Sequence, residues 1–299
     1  MKWTKRLKKC MIFVLSLVLV LGVAAGCAST NQATGTGSAS AGGKGTVKIG
    51  YVNWAECIAV TNLWKVILED QGYQVELSQL DTAPLFVGLS KGNIDVFMDS
   101  WLPITHKVYW EEYQNSLEDY GVWYEGSAKL GIVVPKYVTI DSITQLKDQK
   151  DKFNGKIIGI DPGAGIMKSA TKANESYNLG FELVQSSESA MLATLETAYN
   201  KNEWIAITGW SPHWIFAKYD LKYLEDPQKA FGEAEQLHTL ANKNFSEKQP
   251  KVAAMLKKFK MTDAQVGTLE GLINDGMEPE AAAKQWMQDN KDIVNSWIS

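Results

Sequence analysis

Residues 46–72 read TVKIGYVNWAECIAVTNLWKVILEDQG and join a strand pattern to a helix pattern. The β-branched run over 46–52 predicts a strand, and apolar residues at helical spacing predict a helix over 58–71 that ends at the capping glycine Gly72. Three further elements are predicted: a strand over 73–80, a helix over 83–91 and a strand over 94–98. This alternation is typical of a mostly parallel sheet covered by helices.

A second set of alternating elements begins near Lys156. It consists of predicted strands over 156–160, 181–185 and 204–208 and predicted helices over 166–177 and 187–199. The last third of the chain is predicted to be helical, over 250–259, 262–274 and 279–290. Two such sets predict an α/β protein with two lobes, which is the arrangement that places a ligand in the cleft between them.

The composition is that of a folded, acidic protein. Of 299 residues, 45% are hydrophobic and 21% are charged, which excludes a disordered or collagen-like chain. The formal net charge is −4, and residues 1–26 carry five basic residues and no acid, so the remainder has a net charge of −9. An acidic surface disfavours nucleic acid as a partner. The only arginine is Arg6, so the processed protein must bind any carboxylate without a guanidinium.

The N-terminal segment has the pattern of an export signal. A basic start precedes the apolar run 11–23, which is too short to span a bilayer. The run ends in Ala-Ala-Gly-Cys, which resembles a bacterial lipobox with Cys27 as the lipidated residue. We expect a signal peptide over 1–26 and a flexible tether over 27–45, on the outer face of the cytoplasmic membrane. A plain secretory signal is the alternative.

The remaining cysteine and the histidines point away from metal and disulfide chemistry. Cys57 has no second cysteine to pair with after processing, so we expect no internal disulfide. The three histidines His106, His213 and His238 lack the spacing of metal ligands. We therefore expect no metal and no cofactor.

Three of the 11 tryptophans follow predicted strands: Trp54, Trp101 and Trp210. Strand ends of one sheet meet at one edge, and indole faces converging there would attract a quaternary ammonium group. The alternative is that these rings pack the core. Packing is what we expect of six others, namely Trp64, Trp110, Trp204, Trp214, Trp286 and Trp297, and Trp123 is left open.

Four motifs carry a resemblance to a known family. They are GYVNWAECIAVTN, DSWLPITHK, GIDPGAGIM and TGWSPHW, and together they resemble the glycine-betaine-binding lipoproteins of ABC importers. The resemblance implies that Trp54, Trp101 and Trp210 enclose a trimethylammonium group. It also implies that the ligand carboxylate is bound by the backbone N–H groups of Gly165 and Ile166 and by His106.

The resemblance further implies a two-lobe fold of the type II periplasmic-binding-protein kind. Lobe 1 would comprise 46–132 and 237–299, and lobe 2 would comprise 133–236. The protein would be a binding protein for an osmoprotectant rather than an enzyme. Its partners would be a betaine, an ABC permease and the ATPase of that permease.

Several alternatives stay open. The main ligand could be carnitine, choline or proline betaine, although choline would leave the N–H groups of Gly165 and Ile166 unpaired. Residues 88–92 match the G-x-S-x-G pattern of a hydrolase with Ser90 as nucleophile, but a helix precedes the motif and a strand follows it, the reverse of the usual order. A signalling receptor would require a membrane span and a cytoplasmic module after the lobes, and we expect neither. Glu56 and Cys57, which follow the first cage position by two and three residues, depart from the family pattern; this could adjust the preference among betaines or could be a tolerated loop change.

Overall fold

The computed structural model describes residues 44–299. The predicted signal peptide, the predicted lipidation site Cys27 and most of the predicted tether lie outside these residues. No helix among the described residues is long and apolar enough to cross a membrane.

The first of two five-stranded sheets is built from both ends of the described chain. Its strands are β1 (Thr46–Tyr51), β2 (Gln74–Gln79), β3 (Val96–Leu102), β4 (Leu117–Val122) and β10 (Gln236–Asn242). Their order is β2-β1-β3-β10-β4, with β1 parallel to β2 and β3 and β10 antiparallel to β3 and β4. Three helices follow the first three strands: α1 (Ala55–Asp70), α2 (Thr82–Lys91) and α3 (Lys107–Tyr113).

The second sheet lies within the middle of the chain. Its strands are β5 (Lys129–Pro135), β6 (Lys156–Ile158), β7 (Glu182–Val184), β8 (Ile207–Ser211) and β9 (Leu221–Tyr223), in the order β7-β6-β8-β5-β9. The helices α4 (Gly165–Ser176), α5 (Glu188–Asn200) and α6 (Ile215–Lys218) belong to this part, with short 3-10 turns at 143–145 and 147–153. The chain thus passes between the sheets over 123–128 and 224–235, where Ala128 and Glu235 form an isolated bridge.

Five helices complete the first-sheet part. They are α7 (Phe245–Lys248), α8 (Pro250–Lys258), α9 (Asp263–Asn274), α10 (Pro279–Asp289) and α11 (Lys291–Ile298). The helix α1 packs on α9 and α10. Trp297 stacks between Trp64 and Trp286, and all three rings are at most 2% exposed. Trp123 stacks on Phe259 and donates its indole N–H to the Met98 carbonyl, so it too is a core residue.

The predicted helices and the parallel strands are confirmed, with shifted ends. The helix predicted over 58–71 begins at Ala55, because Trp54 already has the extended backbone of an N-cap residue. Strands β4, β5, β9 and β10 were not predicted, and they make each sheet mixed rather than mostly parallel. The strand β5 starts at Lys129, inside the segment assigned above to lobe 1, because it pairs with β8 from that residue onward.

Candidate ligand-binding site

Three indole rings meet at one cavity between the two sheets. Trp54, Trp101 and Trp210, which we call the tryptophan cage, line this cavity, and none of them is more than 5% exposed. The other lining residues are Glu56, Thr105, Leu130, Ile160, Ala164, Gly165 and Ile166. The structure therefore brings together the three tryptophans and the Gly165–Ile166 turn that the sequence assigned to one site.

Each cage residue is placed by the end of a strand. Trp54 follows β1 and is the N-cap residue of α1. The sequence placed Trp101 and Trp210 after their strands, whereas both lie within the strands, one residue before the end. The reason is antiparallel pairing, which extends β3 through Trp101 opposite Leu237 and β8 through Trp210 opposite Leu130. Trp101 thus lies in the first sheet, Trp54 lies just after a strand of that sheet, and Trp210 lies in the second sheet.

The first turn of α4 supplies backbone donors to the cavity. Gly165 and Ile166 are its first two residues, and both are buried. The first four N–H groups of a helix have no partner within the helix, and the helix dipole places partial positive charge at this end. Such a terminus is a binding site for an anion such as a carboxylate. The turn and the three indole rings thus line the same cavity.

Thr105 approaches Gly165 more closely than any side chain there would allow. A Cβ on Gly165 would lie 2.3 Å from Thr105 Cγ2 and 2.9 Å from the Thr105 carbonyl oxygen. The loop that carries Thr105 is fixed by Glu235, whose Oε1 accepts the N–H groups of Ile104 and Thr105 at 2.7 Å each. Glu235 lies on the crossing segment between the sheets, so this segment holds the loop that carries Thr105.

His106 lies behind the cage instead of lining the cavity. Its ring stacks on Trp54, with centroids 6.0 Å apart and planes inclined by 18°. Its Nδ1 accepts the backbone N–H of Trp101 at 3.0 Å, so the proton of the neutral ring is on Nε2. Burial, together with the charge of Lys168, lowers the pKa of His106 to about 3. Nε2–H is a neutral donor without a partner among the described residues.

His213 supports the cage from the second sheet. Its ring meets Trp210 edge to face, with centroids 4.8 Å apart, and its Nδ1 accepts the N–H of Ile215 at 3.2 Å. Its Nε2 lies 3.2 Å from Glu188 Oε1. The other oxygen of Glu188 accepts the N–H of Ala55 at 3.2 Å, which joins α5 to the start of α1. His213 therefore packs within its own loop and against the neighbouring cage ring.

Buried acids surround the cage on the side of α1. Burial raises the pKa of Asp99 to about 7 and the pKa values of Glu56 and Glu270 well above the ordinary range. The negative charge of Glu188 acts in the same direction on all three groups. A carboxyl in this environment favours its neutral form, since an ionised group would be both desolvated and close to other negative charge.

No role at the site was predicted for Thr105, Glu188 or Glu235, and none was assigned to Glu56. Glu56 could have been suspected because it lies two residues after Trp54, on the first turn of α1. The other three reach the site through contacts between residues more than 100 positions apart. No local sequence pattern predicts such long-range contacts.

Ser90 has the environment of an ordinary helix residue. It lies near the end of α2, before the left-handed cap Gly92, and its hydroxyl donates to the Val87 carbonyl at 2.9 Å. The strand-helix order of a nucleophile elbow is therefore not met.

Within residues 44–299, no three His, Cys, Asp or Glu side chains are grouped as metal ligands would be.

Most of the chain matches a known protein family. The family model OpuAC, described as the substrate binding domain of ABC-type glycine betaine transport systems, matches residues 45–289. The chain belongs to this family. OpuAC domains are substrate-binding transport proteins, and the resemblance inferred from the four motifs is confirmed.

Two solved structures and one curated protein are similar to this OpuAC domain. Lactococcal OpuAC in a closed conformation with glycine betaine is 36% identical, with a TM-score of 0.80, over 85% of this chain and 99% of that one. The glycine/betaine/L-proline-binding protein ProX of Borrelia burgdorferi is 38% identical, with a TM-score of 0.81, over 85% and 97%. These similarities confirm the predicted type II periplasmic-binding-protein fold.

The curated relative is the glycine betaine/carnitine transport binding protein GbuC of Listeria monocytogenes. It is 40% identical over 154 residues, which make up 50% of this chain and 51% of GbuC. The matched part of the chain thus spans about half the length of this relative.

Proposed function

We propose that this OpuAC domain captures glycine betaine, or a closely related betaine, outside the cytoplasm for import by an ABC transporter. The observation that carries the proposal is the pairing of two complementary walls in one cavity. Three indole faces suit a trimethylammonium group, and the first turn of α4 suits a carboxylate. Glycine betaine is a small molecule with these two groups at its opposite ends.

The ammonium group would lie among Trp54, Trp101 and Trp210. A quaternary ammonium cannot donate a hydrogen bond, so aromatic faces suit it better than a short contact with a carboxylate. Each face contributes about 0.5–2 kcal/mol when the cation is desolvated. Three faces supply a substantial share of the roughly 8 kcal/mol that micromolar binding requires.

The carboxylate would accept the N–H groups of Gly165 and Ile166. His106 is the third proposed donor, because its Nε2–H is buried and without a partner among the described residues. A neutral histidine suits a zwitterionic ligand, since the ligand already carries its own positive charge. No arginine is needed, in keeping with a chain whose only arginine is Arg6.

The same geometry ranks the competing ligands. Choline carries a hydroxyl in place of the carboxylate, so it would leave the donors of Gly165 and Ile166 without an anion. Carnitine and proline betaine keep both charges but are bulkier, and Thr105 already closes the cavity against Gly165. We therefore rank glycine betaine first among these ligands.

Ligand capture would couple to transport through closure of two lobes. Trp210 and the turn of α4 lie with the second sheet and Trp54 and Trp101 with the first, so a bound ligand would bridge the two and stabilise the closed form. The permease and its ATPase would recognise that form. Lipidation at Cys27 and the tether over 27–45 would keep the protein at the membrane, and it would catalyse no reaction.

A tryptophan fluorescence titration tests the proposal. The ligands are glycine betaine and 3,3-dimethylbutanoate, which has the same shape and carboxylate but carbon in place of the ammonium nitrogen. We expect a saturable change with glycine betaine and at least about tenfold weaker binding of the analogue that lacks the ammonium charge. Equal binding of the two compounds, or no saturation with glycine betaine, would refute a cation site in the cage.

A further inference from the structure

Glu56 makes a side-chain hydrogen bond to a cage ring of the opposite sheet. The indole N–H of Trp210 donates to Glu56 Oε2 at 2.8 Å, and both residues are buried. Glu56 lies on the first turn of α1, two residues after Trp54. A single side chain next to the first cage residue thus contacts the cage residue supplied by the second sheet.

The hydrogen bond from the indole N–H to Glu56 restrains the orientation of the Trp210 ring. An indole N–H lies in the plane of the ring, so holding it to a carboxyl oxygen sets the orientation of the aromatic faces. Edge-to-face packing on His213 restrains the same ring from its own sheet. Without the acceptor, Trp210 would keep one of these two restraints and would bury an unpaired N–H.

The environment of Glu56 separates a positioning role from a charge role. Burial, with Asp99, Glu188 and Glu270 nearby, raises the pKa of the Glu56 carboxyl well above its usual range. A neutral carboxyl still accepts a hydrogen bond through its carbonyl oxygen, but it gives little electrostatic attraction to a cation. The bond to Trp210 therefore does not depend on a negative charge at Glu56.

We infer that Glu56 is a positioning residue that completes the tryptophan cage by holding the Trp210 ring across the cleft. The inference rests on the proposed function, because it concerns the affinity of the cage for a betaine. It makes Glu56 act through the indole and not by direct charge attraction to the ligand. The reach of the carboxyl, and not its charge, is then the property that binding requires.

Two conservative variants distinguish reach from charge. Glu56→Gln removes the charge and keeps an oxygen at the same distance, whereas Glu56→Asp keeps the charge and draws the oxygen back by one methylene. Calorimetric titration with glycine betaine is expected to give an affinity within about twofold of wild type for Glu56→Gln and at least about fivefold weaker for Glu56→Asp. Glu69→Asp, on the exposed end of the same helix, is the matched control and should bind like wild type.

A Trp210→Phe background adds a readout that general destabilisation would not produce. Phenylalanine keeps an aromatic face but has no N–H, so Glu56→Asp should cause no further loss of affinity in this background. A loss with Glu56→Gln and none with Glu56→Asp would overturn the inference in favour of a charge role. Wild-type affinity in both variants would also overturn it. Failure of the wild-type protein to bind glycine betaine would instead count against the proposed function.

Discussion

Gly165, at the start of α4, and Thr105, in the loop after β3, meet across the cavity with no space between them for a methyl group. A Cβ on Gly165 would fall 2.3 Å from Thr105 Cγ2, far inside any real carbon–carbon contact. The turn that offers N–H groups to a carboxylate is thus packed directly against the opposite wall. The proposed binding site requires glycine here for its lack of a side chain.

Gly165→Ala should therefore weaken binding of glycine betaine by at least about tenfold, since the added methyl group must push the two walls apart at the carboxylate end. Gly163→Ala, in the same turn, is the control, because a Cβ there meets nothing within 4 Å. Calorimetric titration of both variants checks the prediction. Equal affinities in the two variants would show that the contact with Thr105 does not control the site.

Trp101→Leu should weaken glycine betaine binding by at least about tenfold, because an apolar side chain fills space but offers no π face to a cation. Trp204→Leu serves as a control for the loss of an indole outside the cage, since Trp204 is half-buried against Phe153 in the second-sheet part. Fluorescence or calorimetric titration gives both affinities. An unchanged affinity in Trp101→Leu would remove that ring from the proposed cage.

Asp99→Asn should change how stability depends on pH. Burial raises the pKa of Asp99 to about 7 in the folded protein, against about 4 for an unfolded aspartate. The stability that Asp99 contributes is then fully present below pH 4 and is lost as pH rises from 4 to 7, at no more than about 1.4 kcal/mol per pH unit. Asparagine does not titrate, so the stability of the variant should increase relative to that of wild type as pH rises from 4 to 7.

Urea unfolding of both proteins at several pH values between 4 and 8 measures this difference. The free energy of unfolding of the variant minus that of wild type should increase with pH up to about 7 and then level off. A constant difference across this range would mean that Asp99 ionises in the folded protein as it does in the unfolded chain.

Cys27→Ser should release the protein from the membrane fraction, because a serine cannot take the lipid that the predicted lipobox attaches to the cysteine. Fractionation of cells that produce the wild type or the variant is the measurement. Cys57→Ser leaves the lipobox intact and is the control, with detection of the protein in each fraction by antibody. If Cys27→Ser still sediments with membranes, the predicted lipid anchor is wrong.

The sequence allowed the parallel part of each sheet to be predicted, because β-branched runs and helical spacing are local patterns. The antiparallel strands, such as β5 and β10, were not predicted, because the strands with which they pair lie far away in the chain. Gln236 of β10 pairs with Leu102 of β3, a residue more than 100 positions earlier. For the same reason, the strands that carry Trp101 and Trp210 were predicted to end too early: their last residues pair with antiparallel strands that were not predicted.

The cage was predicted because tryptophans at the ends of predicted strands can be recognised in a sequence, whereas the Gly165–Ile166 turn was assigned by resemblance to the family. Glu56, Glu188 and Thr105 contribute through contacts with residues of the opposite wall. These residues are far apart in the sequence and come together only in the folded protein. His106 was placed on the cavity wall by resemblance, whereas it stacks behind Trp54 with its Nδ1 on the Trp101 N–H. Its role as a donor to the ligand remains a proposal.

We propose that one cavity holds a cation among three indoles and an anion at the start of α4. The most direct measurement is a calorimetric titration of the purified protein with glycine betaine, followed by the same titration in the presence of choline. We expect one-to-one binding with a dissociation constant of about 1 μM or lower, and weaker binding of choline as a competitor. Choline binding more tightly than glycine betaine, or no glycine betaine binding at millimolar concentration, would contradict it.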